Sequence, residues 1–167
     1  PVFGFWLSSK PNKDGNGGEL TLGGADPKHY TGNITYFPLT AETYWQVKLT
    51  TLKFKGISTG PINAVADTGT SLLALPMATA QAINKDLGCT PNPIEKAECI
   101  FETCPDFSTL PDIEIVLDNH IFKLTPKDYI LKLKTIVQTA CVSGIMGFNF
   151  PDGPLVILGD IFLRANY

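Results

Sequence analysis

Charge is scarce in this chain. Only 17% of its 167 residues are Asp, Glu, Lys or Arg, the net charge is -3, and Arg164 is the single arginine. No basic cluster occurs, so nucleic acid is not expected as a partner. Long apolar runs are missing as well. Stretches such as Leu155 to Leu158 fall far short of the roughly 20 residues that cross a bilayer, so no membrane span is expected. There is no Cys-x2-Cys pair, and the two histidines, His29 and His120, are isolated. Structural zinc sites cluster their ligands, so no metal is expected, and no cofactor is called for. No secretory leader is visible, and the chain opens directly on a strand-like segment. The expectation is a processed piece or fragment of a longer protein, incomplete at both ends.

What is present points to β structure. Apolar residues make up 44% of the chain, with 15 Gly and 13 Pro, a profile that suits a turn-rich β domain of one-domain size and argues against disorder. Residues 2 to 7 and 19 to 22 read as strands joined by a polar, glycine-rich hairpin loop from Lys10 to Gly18, with Gly23-Gly24 as the stop. Thr43 to Leu49 and Leu52 to Ile57 read as two more, with Tyr44 and Trp45 as core residues. Pro76 to Leu87 reads as a helix closed by Gly88, with Met77, Ala80, Ile83 and Leu87 along its core face. Asp112 to Leu117 and Ile121 to Leu124 flank a turn at Asp118-Asn119. Pro126 to Tyr129 reads as a single helical turn, and Ile130 to Thr139 as a strand. Leu155 to Leu158 has the composition of a strand buried on both faces and is followed by Gly159. Asp160 is then placed to cap a short helix beginning near Ile161.

Four cysteines, Cys89, Cys99, Cys104 and Cys141, indicate an oxidising compartment if they are paired, and their spacing leaves three connectivities open. Asn33-Ile34-Thr35 is an N-glycosylation sequon, meaningful if the protein is secreted or lysosomal.

One stretch organises the rest: Asn63-Ala64-Val65-Ala66-Asp67-Thr68-Gly69-Thr70-Ser71. Small and apolar residues feed a strand into a carboxylate, and the next four residues demand a tight turn rich in hydroxyls and backbone N–H groups. A carboxylate delivered there sits where burial and hydrogen bonds tune it for catalysis. The plain alternative is an Asx-type turn chosen for geometry alone. Against that, the turn is clamped between Ala64-Val65-Ala66 and the apolar run Leu72-Leu73-Ala74-Leu75, and surface turns are seldom so enclosed.

Together with five other segments, this stretch resembles the second lobe of the pepsin-like aspartic proteases, nearest their cathepsin D-like and invertebrate digestive branches. The segments are residues 2–8, 18–24, 44–47, 108–111 and 156–162, in the family's order and over nearly the whole chain. The resemblance implies a mostly β lobe with one or two short helices, and residues 1–167 as the C-terminal lobe of a two-lobed acid endopeptidase. It implies that Asp67 is one of two catalytic carboxylates, with the Gly69 N–H and Thr70 hydroxyl bonded to it. It places Thr68 across from its counterpart in the first lobe, and Thr70 and Ser71 against the substrate backbone. Tyr44, Val65, Phe148, Phe150 and Ile157 become candidate walls for apolar substrate side chains, each with a plain core position as its alternative. It pairs Cys104 with Cys141 and leaves Cys89 with Cys99 closing a short local addition. Expected partners are the N-terminal lobe of the same protease, a peptide or protein substrate, and statine-type inhibitors, in a secreted or lysosomal setting.

Asp-Thr-Gly occurs once, and the chemistry needs two carboxyls, so the chain holds half a site. Two other readings stay open. The protein is a non-catalytic relative that lost the other Asp, or a half that pairs with its own copy, as homodimeric retroviral proteases do. The upstream sequence discriminates among them.

Overall fold

Alternation of apolar and polar residues sets out most of the strands, and glycine, proline and Asx turns end them. The computed structural model describes residues 2–9, 17–93, 98–134, 139–151 and 153–167. In chain order the elements are β1 Phe3–Leu7, β2 Gly18–Leu22, β3 Leu39–Ala41, β4 Gln46–Phe54, β5 Ile57–Ser58, β6 Ile62–Ala66, β7 Leu73–Pro76 and α1 Met77–Leu87. There follow β8 Thr90–Pro91, β9 Cys99–Phe101, a 3-10 turn Phe107–Thr109, β10 Ile113–Leu117, β11 His120–Leu124, α2 Pro126–Tyr129, β12 Ile130–Lys134, β13 Thr139–Ser143, β14 Ile145–Phe148, β15 Leu155–Leu158 and α3 Asp160–Ala165. Most of the hairpin loop expected from Lys10 to Gly18, and residues 135–138 of the strand expected up to Thr139, lie outside the described residues.

Among the described residues the strands form three sheets. The largest runs β11-β10-β4-β6-β15-β7-β14, with β3 and β5 also pairing with β4; a four-stranded sheet runs β12-β13-β9-β8, and β1 and β2 pair alone. β15 is parallel to β6 and antiparallel to β7, so the strand near the end of the chain lies between two that are adjacent in sequence. The core sits behind this sheet. Leu49, Leu52, Phe54, Ile113, Ile115 and Leu158 are buried there, packed with Ala80, Ile83 and Leu87 of α1. Asn84, on the same helix face, is buried too, and it is satisfied: its Nδ2 donates to the Ile145 carbonyl at 3.0 Å and its Oδ1 accepts from Ser143 Oγ at 2.6 Å. The helix ends where the Gly88 backbone turns left-handed, φ 79°, and its N–H closes on the Asn84 and Lys85 carbonyls, the use for which a glycine there is suited.

Three expectations are corrected. Residues 43–57 do not form two strands broken near 50; a nine-residue β4 runs through, because Leu49, Leu52 and Phe54 all reach the core while a register shift opposite Val116 and Leu117 absorbs the change of phase. Tyr44 and Trp45 belong to the turn before it and are exposed. Asp160 does not cap α3 with its side chain: Gly159 is the N-cap, and Asp160 Oδ2 accepts instead from Arg164 Nη2, one turn on, at 3.2 Å.

Two disulfides tie the four-stranded sheet. Cys89–Cys99 spans 10 residues, and Cys104–Cys141 spans 37 and holds the segment after β9 against β13. In α2, Thr125 and Asp128 form a reciprocal capping box that carries Tyr129 into the core, where its O–H donates to the Pro111 carbonyl at 2.6 Å. Burial, and then the negative charge of Asp112, push the Tyr129 phenol above its ordinary range. A raised folded-state value means the native state holds this proton after the unfolded chain has released it. The contribution is therefore complete below the ordinary tyrosine range, about pH 10, and is lost as pH rises above it. Tyr129→Phe is expected to cost about 1 kcal/mol at neutral pH. It is also expected to flatten the decline in stability above about pH 10. Urea unfolding across that range measures both.

Candidate active site

The site is built by the crossing of β15 between β6 and β7. On β6, Ala64 faces the core with no exposure while Asn63 and Val65 lie on the opposite face; paired with them on β15 are Leu155 and Ile157, both partly exposed, next to the buried Val156 and Leu158. The closing strand is thus not buried on both faces, as its composition suggested. One face packs into the core and the other floors a cleft.

The turn after β6 is stitched to this strand. The Asp67 N–H donates to the Leu158 carbonyl at 3.1 Å, and the Asp160 N–H donates to the Thr70 carbonyl at 2.8 Å. Gly159 stands between these two bonds. A Cβ there would overlap the carbonyl oxygens of Thr70 and Leu72, so no larger residue fits without moving the turn. Held this way, Asp67 turns its carboxylate back over the turn. Oδ1 accepts from the Gly69 N–H at 2.9 Å and Oδ2 accepts from the Thr70 hydroxyl at 2.6 Å. Both oxygens are engaged, and the group is part-buried rather than free in solvent. One backbone donor and one hydroxyl donor thus fix the orientation of the carboxyl group.

Beside Asp67 lies an open cleft of about 860 Å³. The structure brings Tyr44, Val65, Phe150 and Ile157 together along it with Asp67. Thr68, Gly69 and Ser71 are exposed on the turn, beyond the walls of the cleft. Phe148 is also outside the lining; it meets the cleft through Phe150, ring centroids 4.8 Å apart. The sequence reading missed Leu39, Trp45, Gln46, Asn63, Pro154 and Leu155. Two of these carried a signal: Asn63 and Leu155 are two residues before Val65 and Ile157, on the same pleat face. The other four arrive by strand pairing and loop position.

The sequence profile described as eukaryotic aspartyl protease matches residues 1–167. A cathepsin D of Dictyostelium discoideum is 42% identical over 99% of this chain and 43% of its own length. A probable vacuolar protease A of Arthroderma benhamiae is 40% identical over all of this chain and 41% of its own, and the cathepsin D of Homo sapiens is 38% identical over 99% and 40%. The chain belongs to the eukaryotic aspartyl protease family. It spans about two fifths of the length of these relatives.

Gly159→Ala is expected to destabilise the protein by at least the roughly 1–3 kcal/mol of an overpacked core and to lower the yield of folded protein. Gly56→Ala, whose added methyl would meet open space, is the control and is expected to be close to neutral. Thermal unfolding of the two variants side by side makes the comparison.

Proposed function

We propose that this chain is the C-terminal lobe of an acid endopeptidase and that Asp67 is one of its two catalytic carboxyls. The observation that carries this reading is the Asp67 carboxylate itself, held at both oxygens by Gly69 and Thr70 beside an apolar-floored cleft. In such a site one carboxylate deprotonates water while its protonated partner donates to the scissile carbonyl oxygen. Two carboxyls about 3 Å apart cannot both ionise, so they share a proton and titrate as a unit; aspartic proteases are the standard instance. The Gly69 and Thr70 bonds fix the direction of the Asp67 carboxyl. The partner carboxyl and a covering flap belong to an N-terminal lobe outside this chain, toward which Thr68 reaches.

Substrate side chains of hydrophobic character lie against Tyr44, Val65 and Ile157, with Phe148 backing Phe150, and Thr70 and Ser71 meet the substrate backbone. Two disulfides, an exposed sequon at Asn33 and relatives named cathepsin D and vacuolar protease A support a secreted, lysosomal or vacuolar setting, with Asn33 glycosylated. Among the described residues no helix is long and apolar enough to cross a membrane.

The test is cleavage of an unfolded protein at about pH 4 by the full-length molecule, with and without a statine-type inhibitor. Cleavage blocked by the inhibitor is expected, with complete loss in Asp67→Asn while the fold persists. Thr70→Val, which removes one bond to the carboxylate, is expected to lower kcat by about ten- to a hundredfold, equivalent to roughly 1.5–3 kcal/mol. Undiminished cleavage in Asp67→Asn would sink the assignment. Inactivity of the unaltered protein with both carboxyls present would leave a non-catalytic binding protein in its place.

A further inference from the structure

In the sequence His29 and His120 are isolated and no Cys-x2-Cys pair occurs, a pattern without clustered metal ligands. Folding changes the surroundings of one. Among the described residues, Glu19, Asp26 and His29 each bring one ligand atom to within 4.8 Å of the others. Glu19 stands on β2, and Asp26 and His29 come from the segment that follows it, so the set assembles only where the β1–β2 hairpin packs against that segment.

Three features make this more than a surface contact. First, His29 Nε2 lies 3.3 Å from Glu19 Oε2. Two ligands of a tetrahedral ion with bonds of about 2.0–2.1 Å stand roughly that far apart, so these two need little movement to share a metal. Second, the imidazole is already oriented. It stacks on the Trp6 indole at 4.1 Å with 10° between the planes, and its side chain is only 16% exposed, which removes most of the ordering cost of binding. Third, the Asp26 carboxylate is anchored through Oδ1, which accepts from the Lys28 N–H at 2.9 Å, while Oδ2 lies 4.0 Å from the Lys28 Nζ. That lysine is 85% exposed and free to swing away as an ion takes its place.

We propose that Glu19, Asp26 and His29 form a binding site for a divalent transition ion of the zinc class. Two carboxylate oxygens and one imidazole nitrogen supply three positions of a tetrahedron, and water takes the fourth. The imidazole favours zinc-like ions over calcium or magnesium, which take oxygen donors. The ion fastens β1–β2 to the 26–29 segment. Among the described residues that hairpin pairs with no other strand, and an isolated two-stranded sheet is marginal alone, so an added tether there acts on a weakly held part of the fold. Among the described residues, Lys28 on the same segment and Tyr167, whose hydroxyl accepts from the Asp26 N–H at 3.2 Å, also face the site, and Trp6 faces it from β1 without charge. Ligation needs a neutral imidazole and ionised carboxylates, so protons compete with the ion and acid weakens binding. None of this depends on the chemistry assigned to Asp67.

The experiment is calorimetric titration of zinc chloride into the full-length protein, stripped with a chelator, at neutral pH and again at about pH 5. One ion per molecule is expected at neutral pH, weakened more than tenfold in the acid arm. Glu19→Gln and His29→Gln are each expected to weaken it more than tenfold, and His120→Gln to leave it unchanged. Circular dichroism establishes that each variant is folded, and if His29→Gln fails to fold, Glu19→Gln carries the test. Absence of a one-to-one site at neutral pH, or binding that survives the ligand substitutions, overturns the proposal and leaves Glu19 and His29 as a hydrogen-bonded contact alone.

Discussion

The insertion of β15 between β6 and β7 is the constraint on which the rest of the structure depends. Two adjacent strands that would otherwise make a hairpin are held apart by a third, parallel to one and antiparallel to the other. The turn joining them cannot collapse into a simple reversal. It is held instead through the Leu158 carbonyl on one side and the Asp160 N–H on the other, with only a glycine's width between. Asp67 inherits its position from that arrangement, and its two hydrogen bonds follow from it. Moving any of these backbones would move the carboxylate.

The same crossing separates core from cleft. Ala64, Val156 and Leu158 lie on the buried face, while Asn63, Val65, Leu155 and Ile157 lie on the other, so two short strands serve both stability and the site. Their period of two makes this possible, since every second side chain of an extended strand points the opposite way. Stability is reinforced away from the site, by two disulfides in the four-stranded sheet and by the buried Asn84–Ser143 network under α1. The cleft is left with an open mouth.

Elsewhere the molecule is less self-contained. Phe3, Phe5 and Leu20 on the β1–β2 hairpin are exposed, and Phe3 meets the exposed Trp45 edge-on at 5.2 Å. The hairpin is fastened on the side of Trp6, His29 and Glu19 by polar and stacking contacts rather than by burial in the main core. It is here that the charge pattern and the fold combine into the cluster proposed to take a metal ion.

Local chemistry made several features legible. The helix over Met77–Leu87, its glycine stop, the hairpin at Asp118-Asn119 and the strand-turn character around Asp67 all follow from residues within a few positions of one another, where propensity, capping and alternation act. The two donors to Asp67 are implied by the resemblance to the pepsin-like family, and the structure holds all three residues in one turn. The sequence alone did not decide which side of β15 would be wet, because Leu155-Val156-Ile157-Leu158 is apolar throughout and its faces are distinguished only by what packs on them. Nor did it decide that Tyr44 and Trp45 would leave the core, that β4 would run unbroken, or that Asp160 would pair with Arg164 instead of capping α3. Those outcomes are set by strand order, register and long-range contact, for which a linear pattern carries no coordinate. A residue's type determines which interactions it can make, and only the folded chain determines which partner is within reach.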